Sequence, residues 1–211
     1  MLPGTGGFEE GGVPRVTKAG LRREILARRG LLGRGTLAVT AGVLRDHVVG
    51  AVRGAGATRV CAYLPLATEP GSSILLDALT VGGVEVLLPI LLDDLDLDWA
   101  MYEGPWSLVA SAHGLREPAG PRLGTGAVAT SGIVIVPALA VDGQGHRLGR
   151  GGGSYDRALA RVLPGVPVVA LLHDGEILAQ VPHEPHDRAV THVVTPDGGW
   201  QQIDHIPPGG I

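Results

Sequence analysis

Aromatic residues make up only 3% of this 211-residue chain, and it holds one cysteine, Cys61, and one lysine, Lys18. A single thiol excludes an internal disulfide, and a reducing cytoplasm is the expected setting. Scarce aromatics together with a net charge of −4 argue against a nucleic-acid-binding face. No apolar run approaches the roughly 20 residues of a membrane span. The first residues, rich in glycine and carrying Glu9 and Glu10, lack the basic start and apolar core of a secretory signal. Neither nucleic acid nor membrane is therefore expected as a partner. The abundance of Gly, Ala, Val, Leu and Arg fits a GC-rich genome and carries no functional reading. The length suits one domain with a sizeable core.

The richest stretch runs from Ile133 to Ala160. Ile133-Val134-Ile135-Val136 is a β-branched run that reads as a buried strand closed by Pro137. After a turn region comes Arg147-Leu148-Gly149-Arg150-Gly151-Gly152-Gly153-Ser154-Tyr155-Asp156-Arg157. Glycines let a loop turn tightly and present its N–H groups, and a helix start beyond them adds partial positive charge. Ser154 is predicted to cap that helix, which continues through Leu159 and Val162. The loop lacks the Gly-Lys-Ser/Thr end of a P-loop, and Ser154 stands where a dinucleotide fingerprint needs its last glycine. A helix terminus contributes about 0.3–1 kcal/mol per charge, whereas even a millimolar ligand needs roughly 4 kcal/mol. Phosphate binding here therefore needs the arginines and a metal ion; the alternative is a plain flexible loop.

Residues 1–16 read as a disordered lead-in. Thr17 is placed to cap a helix bearing Lys18, Leu21, Arg22, Ile25, Leu26 and Arg29, with one apolar stripe inward. Lys18 and Arg22 lie a turn apart on one face, as a solvated pair or as two arms for a shared anion. A second helix is expected over 36–52. From residue 58 strands alternate with helices: strands over 59–64, 84–88, 133–137, 166–172 and 190–195, the first two ended by Pro65 and Pro89, with helices over 74–79 and near 176–180. This predicts a three-layer α/β/α domain over 17–196 around a mostly parallel sheet. Its ligands are expected beyond the carboxyl ends of the strands. Residues 93–126 interrupt the rhythm and carry Trp99, Tyr102 and Trp106; they read either as one wall of a pocket with a small hairpin or as a surface insertion. Residues 197–211 read as a loose tail.

Among candidate chemical groups, Asp156 lies in the first turn of the loop-following helix, as a capping carboxylate or as a magnesium ligand beside phosphates. Asp187, in His183-Glu184-Pro185-His186-Asp187, precedes the last strand. Pro185 spoils a helical zinc arrangement of the two histidines. Glu69 follows the first strand, so its carboxylate faces the expected crevice, able to accept from an amino-substituted heterocycle or to sit in a solvated turn.

These pieces together resemble the 5-formyltetrahydrofolate cyclo-ligase (5,10-methenyltetrahydrofolate synthetase) family, in its actinobacterial style. The likeness runs from Lys18 to Thr195. It is carried by Lys18-x-x-Leu21-Arg22, Glu69, Gly114-Leu115-x-Glu117-Pro118, the Arg147–Arg157 run, and Pro182-x-x-x-His186-Asp187 before Val193-Val194-Thr195-Pro196. The resemblance implies an enzyme that uses ATP and Mg²⁺ to close 5-formyltetrahydrofolate to 5,10-methenyltetrahydrofolate, releasing ADP and phosphate. It assigns ATP contacts to Lys18, Arg22, Arg147, Leu148, Gly149, Arg150, Gly151, Gly152, Gly153, Ser154 and Tyr155. It implies folate contacts at Leu64 and Glu69, metal ligation by Asp156 and Asp187, and catalytic roles for Arg150 and Tyr155. The chain is expected to act as a monomer or weak homodimer. Ser154 departs from an aromatic common in the family, so weaker substrate stacking, or compensation by Trp99, Tyr102 or Trp106, is expected. A paralogous ATP-using enzyme and a non-catalytic folate- or nucleotide-binding protein are the alternatives.

Overall fold

The computed structural model describes residues 17–111 and 114–205; the expected lead-in, residues 1–16, lies outside them. The chain opens with α1 (Lys18–Gly30) and α2 (Arg34–Gly54), followed by β1 (Arg59–Cys61), α3 (Ser73–Val81) and β2 (Glu85–Leu91). Next come β3 (Leu97–Met101), the pair β4 (Leu108–Ala110) and β5 (Arg116–Pro118), and β6 (Ile133–Pro137). Then follow β7 (Ala140–Asp142), β8 (Arg147–Leu148), α4 (Ser154–Leu159), β9 (Val168–Leu171) and β10 (Ile177–Leu178). The described part ends with β11 (His192–Thr195), β12 (Gly199–Gln202) and a 3₁₀ turn over Ile203–His205.

Seven strands form the main sheet in the order β12-β11-β9-β6-β1-β2-β3. Its five inner strands are parallel, and only the edges β3 and β12 run antiparallel. Successive side chains of a strand point to opposite faces, and the apolar runs are divided accordingly. Val60, Val86, Leu88, Ile133 and Ile135 join Leu44, Val48 and Val52 of α2 and Leu75, Leu76 and Leu79 of α3 in one core layer. Cys61, Leu87, Val134 and Val136 meet Ala158 and Leu159 of α4, Val128 and Ile203 on the other face. That accounts for strands apolar on both sides, and it is the expected three-layer α/β/α arrangement. Leu21 and Ile25 of α1 pack instead on a small separate sheet, β10-β7-β8, with Leu139, Leu148 and Val181.

Five local expectations need correction, the first being that β1 stops at Cys61 and is not ended by Pro65. Pro89 does not end β2, which runs on to Leu91 with Pro89 opposite Trp99. β1 has already turned away there, so the side of β2 opposite β3 has no strand to receive a donor, and a proline is tolerated. The region near 176–180 is not helical: Ile177 and Leu178 pair parallel to β7, and Glu176 gives its carbonyl to the Val141 N–H at 3.1 Å. Of the expected loose tail, residues 199–202 form edge strand β12, paired residue for residue with β11, and residues 206–211 lie outside the described residues. Ser154 is the first residue of α4, not its cap; Gly153 caps in the left-handed region (φ 71°), and the helix stops at Leu159.

Candidate active site

The carboxyl ends of β6, β1 and β2 open into a cleft of about 1050 Å³. On one side α1 presents Lys18 and Arg22 from its first turns, with Thr17 Oγ1 capping Gly20 N at 3.1 Å. Lys18 Nζ donates to Asp187 Oδ2 at 2.7 Å and to Glu184 Oε1 at 3.2 Å. Arg22 Nε donates to the Gly149 carbonyl at 2.8 Å. The two cations therefore do not share one partner within the protein: one holds the loop before β11, the other the glycine loop. Burial works to lower the Lys18 pKa, but its bonds to Asp187 and Glu184 outweigh it and the net direction is up. Asp187 is pulled below the usual carboxylate range, because the Lys18 bond and the Glu184 N–H outweigh its burial.

The glycine loop lies between β8 and α4. Gly151 adopts φ 109°, a conformation that L side chains rarely take, so the backbone itself favours glycine where the loop passes the Arg22 guanidinium. Arg147 is nearly buried; its Nη2 donates to Asp156 Oδ1 at 2.9 Å, and its guanidinium lies 5.9 Å from the centre of the Tyr155 ring. Arg147 Nε is a buried donor with no partner among the described residues. Leu148 lines the cleft but turns its side chain under α1. Tyr155 packs against both faces of the sheet core, and burial, reinforced by the Glu69 charge, pushes its hydroxyl well above the ordinary value. It stays protonated at neutral pH and can donate a hydrogen bond but not act as a base.

At the mouth of β1, Leu64 and Glu69 line the same cleft. Glu69 is buried, with Oε2 accepting from Leu66 N at 2.9 Å and Oε1 from Arg150 Nε at 2.9 Å. Arg150, half exposed, thus ties the glycine loop to the strand that carries the expected folate contacts. All the expected site residues line this one cleft.

The residues also fit a divalent cation held together with phosphate oxygens. Asp156 Oδ1 serves Arg147 and the Arg188 N–H, leaving Oδ2 without a protein partner among the described residues. Asp187 Oδ1 faces only His186 Nε2 at 3.7 Å. Among the described residues no cluster of three or more His, Cys, Asp or Glu side chains could bind a metal alone. Mg²⁺ commonly takes one or two carboxylates and completes its shell with phosphate and water.

The aromatic residues of 93–126 do not reach the cleft. Trp99 is fully buried in the core, Tyr102 is buried and donates to Asp77 Oδ1 at 2.7 Å, and Trp106 is 81% exposed. The segment nevertheless forms a wall, through Leu97 and Gly114–Glu117, and β4–β5 is the expected hairpin. Two supports have little or no sequence signal. Arg29 continues the Leu21–Ile25 stripe into the core, where Nε and Nη2 grip both oxygens of Glu176 at 2.7 Å and Nη2 also donates to the Ala138 carbonyl. Asp142 accepts from the N–H groups of Gln144, His146 and Val181, each at 3.0 Å, and meets His146 Nδ1 at 3.0 Å. The His146 ring stacks on that of His183 at 3.5 Å. An arginine on an apolar stripe signals a buried acid, but nothing in the spacing points to Glu176.

The 5-formyltetrahydrofolate cyclo-ligase family matches residues 14–196. The 5-formyltetrahydrofolate cyclo-ligase of Mycolicibacterium smegmatis is 48% identical over 145 residues, 66% of this chain and 74% of that protein. The Escherichia coli K12 protein of the same name is 29% identical, over 67% of this chain and 80% of its own length. In fold, the chain is similar to the 5,10-methenyltetrahydrofolate synthetase of Aquifex aeolicus, with a TM-score of 0.75 and 22% identity, covering 92% of this chain and 96% of that one. A Mycoplasma pneumoniae 5,10-methenyltetrahydrofolate synthetase gives 0.68 at 16% identity, over 84% and 98%. With a family match across most of its length and a relative nearly half identical, this chain belongs to the 5-formyltetrahydrofolate cyclo-ligase family.

Proposed function

We propose that the chain converts 5-formyltetrahydrofolate to 5,10-methenyltetrahydrofolate at the expense of ATP, in the cleft where the glycine loop meets the end of β1. The observation that carries this reading is the convergence of two kinds of wall. Cationic and amide donors from Lys18, Arg22 and residues 147–155 stand on one side, and a carboxylate-bearing apolar wall with Leu64 and Glu69 on the other, joined by the Arg150–Glu69 pair.

The formyl oxygen is a poor leaving group. Its attack on the γ-phosphorus forms an O–P bond and breaks the bond to the ADP bridging oxygen, leaving an iminium phosphate at N5. N10 then bonds to the formyl carbon and gives up its proton, and departure of inorganic phosphate with the C–O electrons leaves the methenyl bridge. Such a sequence needs positioning and charge compensation, not a protein nucleophile. Lys18, Arg22 and the loop amides hold the phosphates, Arg150 offsets charge on the transferred group, and neutral Tyr155 donates a hydrogen bond. Asp156 and Asp187 would hold Mg²⁺, which when bound neutralises phosphate charge.

We place the reaction in the cytoplasm, carried out by a monomer or weak homodimer; no helix among the described residues is long and apolar enough to cross a membrane. Purified protein given 5-formyltetrahydrofolate, ATP and Mg²⁺ should develop the methenyl chromophore with one ADP released per product. Binding of both ligands without product would overturn the catalytic reading, and ATP turnover stimulated only by another small molecule would favour a different substrate.

A further inference from the structure

Glu117 lines the far wall of the cleft and is 9% exposed, yet among the described residues it pairs with no cation. Its Oε1 accepts from the Leu91 N–H at 3.1 Å. That donor lies at the end of β2 beyond the reach of β1, where Pro89 has no N–H to offer and β3 is served from the other side. Oε2 has no hydrogen-bond partner in the described protein. Glu69, also buried, differs in that both its oxygens are bonded, one of them to a cation, Arg150.

The second oxygen of Glu117 therefore faces the open cleft with its acceptor capacity unused by the described protein, a position that selects a hydrogen-bond donor from a bound ligand. The glycine loop follows β8, Glu69 follows β1, and Glu117 leans on the end of β2, and all of them line the one cleft. A carboxylate repels the phosphates expected over the glycine loop, so the part of the substrate that meets Glu117 is one that carries N–H donors. Leu91, Leu97 and Leu115 beside it make an apolar slot suited to a flat ring. The pterin of a reduced folate carries a 2-amino group and N3–H on one edge, two adjacent donors matched to a carboxylate.

Resting on the proposed reaction, we propose that Glu117 is a specificity-determining residue that receives the amino-pyrimidine donor edge of the pterin, alongside Glu69. It acts on substrate selection and not on phosphoryl transfer.

The test first establishes product formation by the wild-type protein; its absence would count against the reaction and is read separately. Given turnover, Glu117→Gln keeps an oxygen for Leu91 but turns an N–H₂ toward the substrate donors. It should raise KM for 5-formyltetrahydrofolate ~10–100-fold, with kcat and the KM for ATP within about threefold. The wild type should lose a similar factor on a substrate whose 2-amino group is replaced by methyl, and Glu117→Gln should lose little more on that analogue. Glu117→Asp, which keeps the charge on a shorter stem, guards against a misfolded amide variant and should fall between the two. Equal penalties on both substrates, a fall confined to kcat, or normal KM in both folded variants would overturn the assignment.

Discussion

Arg150 stands between the two walls of the cleft with its Nε on Glu69 and 46% of its side chain open. Because it is held at one point and otherwise free, truncation removes charge from the cleft without emptying the core. Arg150→Ala should lower kcat by ~10²–10³-fold while thermal unfolding moves by only a few degrees; a near-normal rate would remove Arg150 from the mechanism. Ser154 supplies a different case. It lines the cleft as the first residue of α4, and none of Trp99, Tyr102 or Trp106 reaches the site to replace an aromatic there. Ser154→Tyr should therefore leave activity unchanged or lower KM for the folate, and a folded but inactive variant would contradict the stacking argument. At this scale the glycine loop was legible because a run of glycines and arginines has few structural uses. Glu117 was visible only as part of a motif, since burial without a partner is a property of the folded chain.

The turn from β7 to β8 leads into the glycine loop, and one side chain gathers its backbone donors. Asp142 gathers three backbone N–H groups from both its own turn and Val181, which leads into the loop bearing Asp187. Burial acts to raise its pKa, but these donors and His146 outweigh it and hold the carboxylate ionised. Asp142→Ala leaves those donors without an acceptor and should destabilise the protein by about 3 kcal/mol or more, measured by urea unfolding. Asp142→Asn, which keeps one acceptor oxygen, should cost about half as much; no difference between the two would mean that the carboxylate does not organise the turn. Elements of this kind were the least readable. The β-branched runs announced the inner strands, and Thr17 announced α1, because local composition decides both. Pro89 looked like a terminus because its missing N–H matters only where a neighbouring strand demands one, and β1 ends too soon to do so. The two-residue strands β8 and β10 and the edge strand β12 exist because partners elsewhere receive their backbone groups.

For the molecule as a whole, α1 rests on the small sheet and not on the main one, so its hold on the cleft comes through a few polar ties. The Lys18–Asp187 pair joins residues 169 apart in sequence, which no spacing rule could reveal. Its pH dependence follows from the two shifts. Asp187, depressed below 3.8, contributes stability that is present above its unfolded pKa and is lost as pH falls through the lower folded value. Lys18, raised above 10.5, contributes stability that is present below its unfolded pKa and is lost only as pH climbs past the higher folded value. Between those limits the tie is constant, so its contribution should be level across neutral pH and fade in acid. Without nucleotide or metal, Asp187→Asn should be less stable than wild type by about 1–2 kcal/mol at pH 7. That gap should remain level on the alkaline side of neutrality and shrink as the pH falls below the ordinary carboxylate range. Chemical denaturation of both proteins across this range measures the gap directly, and a gap of constant size down to the acid limit would show that the ion pair does not hold the cleft together.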